Sequence, residues 1–170
     1  MRSAVIVTVP EAEPVVGEWR LQYTFDGPAG IPPHVTVLFP FVPSKQVGKV
    51  EQRVGEIVSA KPPFDVVFAG TARFPEVLYL DPEPAEPFLA LTGAILSEWP
   101  EHPPYEGAFE TVIPHLTVAE SEDSALLDRI AAQVEPRLPI EMHAREVSLF
   151  TEDEKGRWHE HRRLPLGEQA

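Results

Sequence analysis

Apolar and polar positions along this chain switch between the period of a strand and the period of a helix, with prolines at most of the switches. Ser3 to Val9 is a short apolar run ended by Pro10 and predicts a buried strand. Glu11 to Leu21 places Val15, Val16 and Trp19 on one side of a short helix, although Pro14 and Gly17 work against it. Tyr23 to Pro33 reads as a loop rich in Gly and Pro that leads into a strand from His34 to Phe39, closed by Pro40 and Pro43. Ser44 stands where an N-cap belongs, and Val47, Val50, Val54, Ile57 and Val58 keep helical spacing to about Ala60. After Pro62-Pro63, two strands follow, Phe64 to Phe74 and Val77 to Asp81, around a turn at Pro75-Glu76.

The second half repeats the plan. Phe88, Leu91, Ile95 and Trp99 share one face of a helix from about Glu86 to Trp99. A loop from Pro100 to Glu110 leads into a strand from Thr111 to Ala119. Ser121 is placed to cap the next helix, with Glu122 and Asp123 in its first turn and Leu126, Leu127, Ile130, Ala131 and Val134 as its apolar stripe. Leu138 to Phe150 and Arg157 to Leu166 read as a closing pair of strands around the turn Glu152 to Gly156. The expected architecture is α+β and bilobal: two pseudo-symmetric lobes of antiparallel sheet with outer helices around a central cleft, in one domain spanning residues 1–170.

The repeated core of the plan is a short motif. Pro33-His34-Val35-Thr36-Val37 and Pro114-His115-Leu116-Thr117-Val118 both read Pro, His, aliphatic, Thr, Val. Alternate residues of a strand share a face, so each copy turns an imidazole and a hydroxyl one way and two aliphatic side chains into the core. The two histidines are 81 residues apart, which suits one copy in each of two similar lobes. Two opposed imidazoles that titrate near neutrality fit acid–base chemistry on a phosphate ester, and threonine hydroxyls can donate to its non-bridging oxygens.

Charge narrows the range of partners. The chain carries 14 Lys and Arg against 27 Asp and Glu, a net charge of −13, and no basic cluster exceeds Arg162-Arg163. Neutralising a long run of nucleic-acid phosphates needs a basic surface, so no extended nucleic-acid footprint is expected. Apolar and charged contents of 43% and 24% are those of an ordinary globular protein, and with no cysteine there is neither a disulfide framework nor a thiolate site. Residues 3–9 are too few to span a membrane and no signal-peptide pattern follows, so a cytoplasmic protein without membrane association is expected.

The paired His-x-Thr-x motifs, with Leu38-Phe39-Pro40-Phe41 after the first, Pro114 before the second and a closing hairpin over Val147 to Leu166, resemble the two-histidine phosphoesterase superfamily. That superfamily includes the 2′-5′ RNA ligases and related cyclic phosphodiesterases. The resemblance implies a bilobal fold with both motifs facing a cleft, His34 and His115 as an acid–base pair, and Thr36 and Thr117 as phosphate ligands. It implies no metal and no cofactor, and a small nucleotide or an RNA terminus as the bound partner. A nucleotide-binding module without turnover is the competing reading. Phe41 and Phe150 lie just beyond strands expected to border the cleft and are candidates to stack on a base. His159-x-His161 has the spacing of a metal pair but no further ligand nearby, which favours an exposed hairpin face. Arg73, Arg145 and Arg157 are unranked candidates for phosphate neutralisation.

Overall fold

The computed structural model describes residues 1–109 and 111–167, so Glu110, at the end of the expected Pro100–Glu110 loop, lies outside them. Eight strands are formed among these residues: β1 (Ser3–Thr8), β2 (His34–Leu38), β3 (Phe64–Phe74), β4 (Val77–Glu83), β5 (Leu116–Glu120), β6 (Ile140–Ala144), β7 (Glu146–Glu152) and β8 (Trp158–Pro165). They make two antiparallel four-stranded sheets with orders β2-β1-β7-β8 and β5-β4-β3-β6. Both motif strands, β2 and β5, are edge strands, and they approach each other across the molecule. The α+β, two-sheet architecture matches the one expected from the sequence.

Among the described residues, five α-helices complete the fold: α1 (Glu13–Tyr23), α2 (Asp26–Ala29), α3 (Val47–Ser59), α4 (Glu86–Glu98) and α5 (Ser124–Val134). The connections interlock the lobes. Helix α1 leaves β1 in the first sheet yet packs on β5 of the second, while α4 leaves β4 in the second sheet and packs on β2 of the first. An edge strand has backbone groups with no ladder partner, and each crossing helix supplies one. Arg20 on α1 donates from Nη1 to the Thr117 carbonyl at 2.8 Å, and Thr92 on α4 donates from Oγ1 to the Val37 carbonyl at 2.6 Å. One core runs through both lobes, joining Val5, Val35 and Val37 to Leu78, Leu116 and Val118. No helix among the described residues is long and apolar enough to cross a membrane.

Several local expectations are corrected. Leu138 to Phe150 is not one strand: the chain breaks at Arg145, β6 pairs with β3 in one sheet and β7 with β1 and β8 in the other. The apolar alternation of the two strands is similar, so nothing in it marks the change of sheet. The supposed loop Tyr23–Pro33 contains α2. Asp123, not Ser121, caps α5: its Oδ1 accepts the Leu126 N–H at 3.2 Å, and Ser121 Oγ accepts the Asp123 N–H. Ser44 opens a short 3-10 turn, and α3 starts after Gln46 with no side-chain cap. The first helix starts at Glu13, after a 3-10 turn over Pro10–Ala12. The second motif strand begins at Leu116, so His115 stands at its mouth rather than within it.

Candidate active site

The motif strands carry the same irregularity at the same place. In β2, Thr36 pairs with Ile6 and Leu38 with Val5, leaving Val37 unpaired; in β5, Thr117 pairs with Tyr79 and Ala119 with Leu78, leaving Val118 unpaired. Each motif therefore ends in a β-bulge at its valine. A bulge resets the alternation by one residue. Strict alternation would place Leu38 and Ala119 on the face of the His and Thr. The bulges bury those two in the core and turn Phe39 and Glu120 towards the cleft instead.

The result is a cleft of about 350 Å³ between the sheets, into which His34, Thr36, His115 and Thr117 all turn. Both imidazoles are fixed in the same way. His34 Nδ1 lies 2.8 Å from the Pro32 carbonyl and His115 Nδ1 lies 2.7 Å from the Ile113 carbonyl. A carbonyl only accepts, so in each ring Nδ1 carries the proton and Nε2 is left for the cleft. His115 is half-buried, with the rings of Phe74 and Tyr79 at 5.2 and 5.5 Å.

His34 has charged company. Arg20, only 2% exposed, holds β5 through the Thr117 carbonyl, the chain before β2 through the Ile31 carbonyl at 3.0 Å, and Asp26 Oδ1 at 2.7 Å. The other Asp26 oxygen is 3.8 Å from His34 Nε2. One buried guanidinium thus ties both motifs and the site's carboxylate together. Asp26 is delivered by α2, which folds tightly against the end of α1 because residue 27 is glycine. A Cβ there would lie 2.5 Å from the Arg20 carbonyl oxygen.

Burial pushes the His34 imidazole down to about 4, with Arg20 adding to the effect and Asp26 opposing it; burial also lowers His115. The unfolded histidine protonates near 6.5, so between about pH 6.5 and 4 the unfolded chain holds a proton that the native site refuses. Stability from this group is therefore complete above pH 6.5 and is lost as the pH falls towards 4. Urea unfolding at pH 7 and pH 4 is expected to show wild type losing about 2 kcal/mol more than His34→Gln. Equal losses would contradict this placement of His34.

The walls differ at the two ends. Phe39, Trp158 and Tyr105 form an aromatic end, where the guanidinium of Arg2 lies 5.2 Å from the Phe39 ring centre and 5.8 Å from that of Trp158. Arg2 is itself paired with Glu152. Tyr105 and Glu106 both have positive φ, 51° and 57°, a conformation unfavourable for side-chain-bearing residues. That turn is anchored by the Tyr105 N–H donating to the Phe39 carbonyl at 2.6 Å, and it brings the Tyr105 hydroxyl within reach of Thr36. At the opposite end stand Asp26 and Glu120, with the Glu120 carboxyl raised by burial and by Asp26.

The four motif residues thus share one cleft, but the two phenylalanines proposed from sequence do not line it. Phe41 is buried against Trp99 and His102. Phe150 is on the cleft side of its sheet but covered, in a cluster with Ala4, Ile6, Ile31 and Trp158. The bulge at Val37 turns Phe39 to the cleft. His143, His159 and His161 pair with Asp65, Asp153 and Glu51 on the surface, and Arg73 pairs with Asp128. Neither Arg145 nor Arg157 lines the cleft. Sequence reading missed Arg20, Asp26, Glu120, Tyr105 and Trp158; of these, only Trp158, in the closing hairpin, carried a residue-type signal.

Comparison with known proteins agrees with this geometry. A family model described as the 2′-5′ RNA ligase superfamily matches residues 8–156. Among solved structures, the chain is similar to TT0787 of Thermus thermophilus, at TM-score 0.67 and 20% identity with all of both chains covered. It is similar to E. coli LigT complexed with NADP+, at 0.64 and 18% with 98% of each chain covered, and to E. coli LigT complexed with 3′-AMP, at 0.64 and 19% with 97% of each covered. None of the curated proteins matches the sequence. With a family model matched over most of its length and a cleft faced by both His-x-Thr-x motifs, the chain belongs to the 2′-5′ RNA ligase superfamily of two-histidine phosphoesterases.

Proposed function

We propose that this protein is a phosphodiesterase that opens a 2′,3′-cyclic phosphate on a nucleotide or an RNA end, using His34 and His115 as its acid–base pair. The observation that carries the reading is the convergence of two imidazole Nε2 atoms and two threonine hydroxyls on one cleft. In this reading His115 Nε2 takes the proton of the attacking water, whose oxygen bonds to phosphorus. The bond to the 3′ oxygen breaks, and that oxygen receives its proton from His34 Nε2, leaving a 2′-phosphate. Asp26 favours this division of roles, because a carboxylate 3.8 Å from His34 Nε2 stabilises an imidazolium there. Thr36 and Thr117 hold the phosphate oxygens. The chemistry asks for no metal and no cofactor, and we place the enzyme in the cytoplasm.

The base would lie on Phe39 and Trp158. Aromatic stacking is worth about 1–3 kcal/mol per base. Trp158→Ala is therefore expected to raise KM for a nucleoside cyclic phosphate by about tenfold with a smaller change in kcat; an unchanged KM would remove Trp158 from the site.

A second reading has one observation in its favour. Burial holds His34 neutral, its imidazole pushed down to about 4, so it lacks the proton an acid needs. A nucleotide-binding module would require no such proton. Bound phosphate supplies the missing negative charge in the catalytic reading. Turnover of the four nucleoside 2′,3′-cyclic phosphates in the presence of a chelator supports catalysis. Tight nucleotide binding without any turnover supports the module. E. coli LigT has been solved with 3′-AMP, ATP and NADP+, which agrees with a small nucleotide as ligand under either reading.

A further inference from the structure

The two motifs are equivalent, yet the residues their bulges deliver to the cleft are not: Phe39 at one end, Glu120 at the other. Glu120 does not stand alone, because Asp26 lines the same end and lies 3.8 Å from His34 Nε2. His34 is itself only 7% exposed, and its Nε2, which has no hydrogen-bond partner, opens onto the space that these carboxylates border. Two anionic side chains beside a phosphate pocket need an explanation.

The fixed positive charges offset only part of this: Arg20 pairs with Asp26, while Glu120 has no ion-pair partner among the described residues. Arg20 lies behind the cleft with its guanidinium shared among Asp26, Ile31 and Thr117, and Arg2 is committed to Glu152 at the aromatic end. Besides Arg2, the polar side chains that line the cleft are His34, His115, Thr36, Thr117 and Tyr105, with Asp26 and Glu120 beside them. Such a site has hydrogen-bond donors for one negative charge and repulsion for a second. A cyclic phosphodiester carries one negative charge, whereas the phosphomonoester formed by opening it carries about 1.5 to 2 at neutral pH.

We propose that Asp26 and Glu120 act as a charge filter, which admits a monoanionic phosphodiester and expels the more highly charged phosphomonoester. The inference rests on the reading of this cleft as a cyclic phosphodiesterase site and adds to it how product leaves.

The test compares adenosine 2′-phosphate with adenosine 2′-sulfate, which has nearly the same shape and one negative charge, by calorimetric titration of the full chain at pH 7.5. Wild type is expected to bind the sulfate at least about fivefold more tightly, the scale of one unit-charge interaction near 4 Å in a water-like medium. Glu120→Gln, at a side chain open to solvent, is expected to strengthen phosphate binding by about fivefold and to leave the sulfate within about twofold. Asp26→Asn is expected to act in the same direction, and the Glu120 variant keeps the test independent of any loss of the Arg20 ion pair. Phosphate binding as tight as sulfate in wild type, or equal weakening of both ligands in the variants, would overturn the filter while leaving the phosphodiesterase reading intact. Failure of both probes to bind, together with no turnover of any nucleoside cyclic phosphate, would overturn the functional reading and the filter with it.

Discussion

His34→Ala and His115→Ala are each expected to lower kcat on a nucleoside 2′,3′-cyclic phosphate by about 10²–10⁴-fold, the range that general acid or base catalysis contributes. Geometry explains why neither loss is easily replaced. Each ring is oriented by its own carbonyl, Pro32 or Ile113, so that only Nε2 is available to the reacting atoms. Water occupying an alanine site has neither that orientation nor a pKa near neutrality. Because the two rings act in one proton relay, the double variant is expected to fall no more than about tenfold below the weaker single variant. The pH profiles separate the roles. In His115→Ala the acidic limb of kcat is expected to disappear, and in His34→Ala the basic limb. Steady-state kinetics from pH 5 to 9 measures both, and activity within threefold of wild type in either variant would displace that histidine from the mechanism.

The second large effect is on stability. Arg20→Met is expected to destabilise the fold by about 2–4 kcal/mol in urea unfolding, because it strands Asp26 and leaves the Ile31 and Thr117 carbonyls without their donor. Part of that cost belongs to the stranded carboxylate. Adding Asp26→Asn to Arg20→Met should therefore recover about 1 kcal/mol or more, a coupling that a double-mutant cycle reads directly. Arg20→Lys is expected to rescue poorly, since a single ammonium cannot span three acceptors held by α2, β5 and the chain before β2. A cost below about 1 kcal/mol for Arg20→Met would show that this guanidinium is not what ties the two lobes at the site.

What could be read in advance follows from where the information lies. The two-sheet α+β fold and the convergence of His34, Thr36, His115 and Thr117 were legible because strand alternation and the repeated motif are local patterns. The aromatic wall was misread by a small margin with a definite cause. Alternation cannot register an unpaired residue, so it gave no sign that the bulge at Val37 turns Phe39 to the cleft, while Phe41, beyond the end of β2, packs on Trp99. The same effect hid Glu120, which an unbroken β5 would have turned away. Arg20 was invisible for another reason. It sits on a helix that crosses to the opposite lobe, and its partners are backbone carbonyls 11 and 97 residues away, which no residue type announces. The break at Arg145, where the chain changes sheet, was likewise a tertiary event without a local mark.

The central claim is that two imidazoles in one cleft open a cyclic phosphate without a metal. Phosphorus NMR of a nucleoside 2′,3′-cyclic phosphate, incubated with the protein and a chelator, tests it most directly. The account predicts loss of the cyclic resonance and growth of a single 2′-phosphomonoester signal with wild type, and a persistent cyclic resonance with His34→Ala and with His115→Ala. Opening that continues at the wild-type rate in both variants would contradict it.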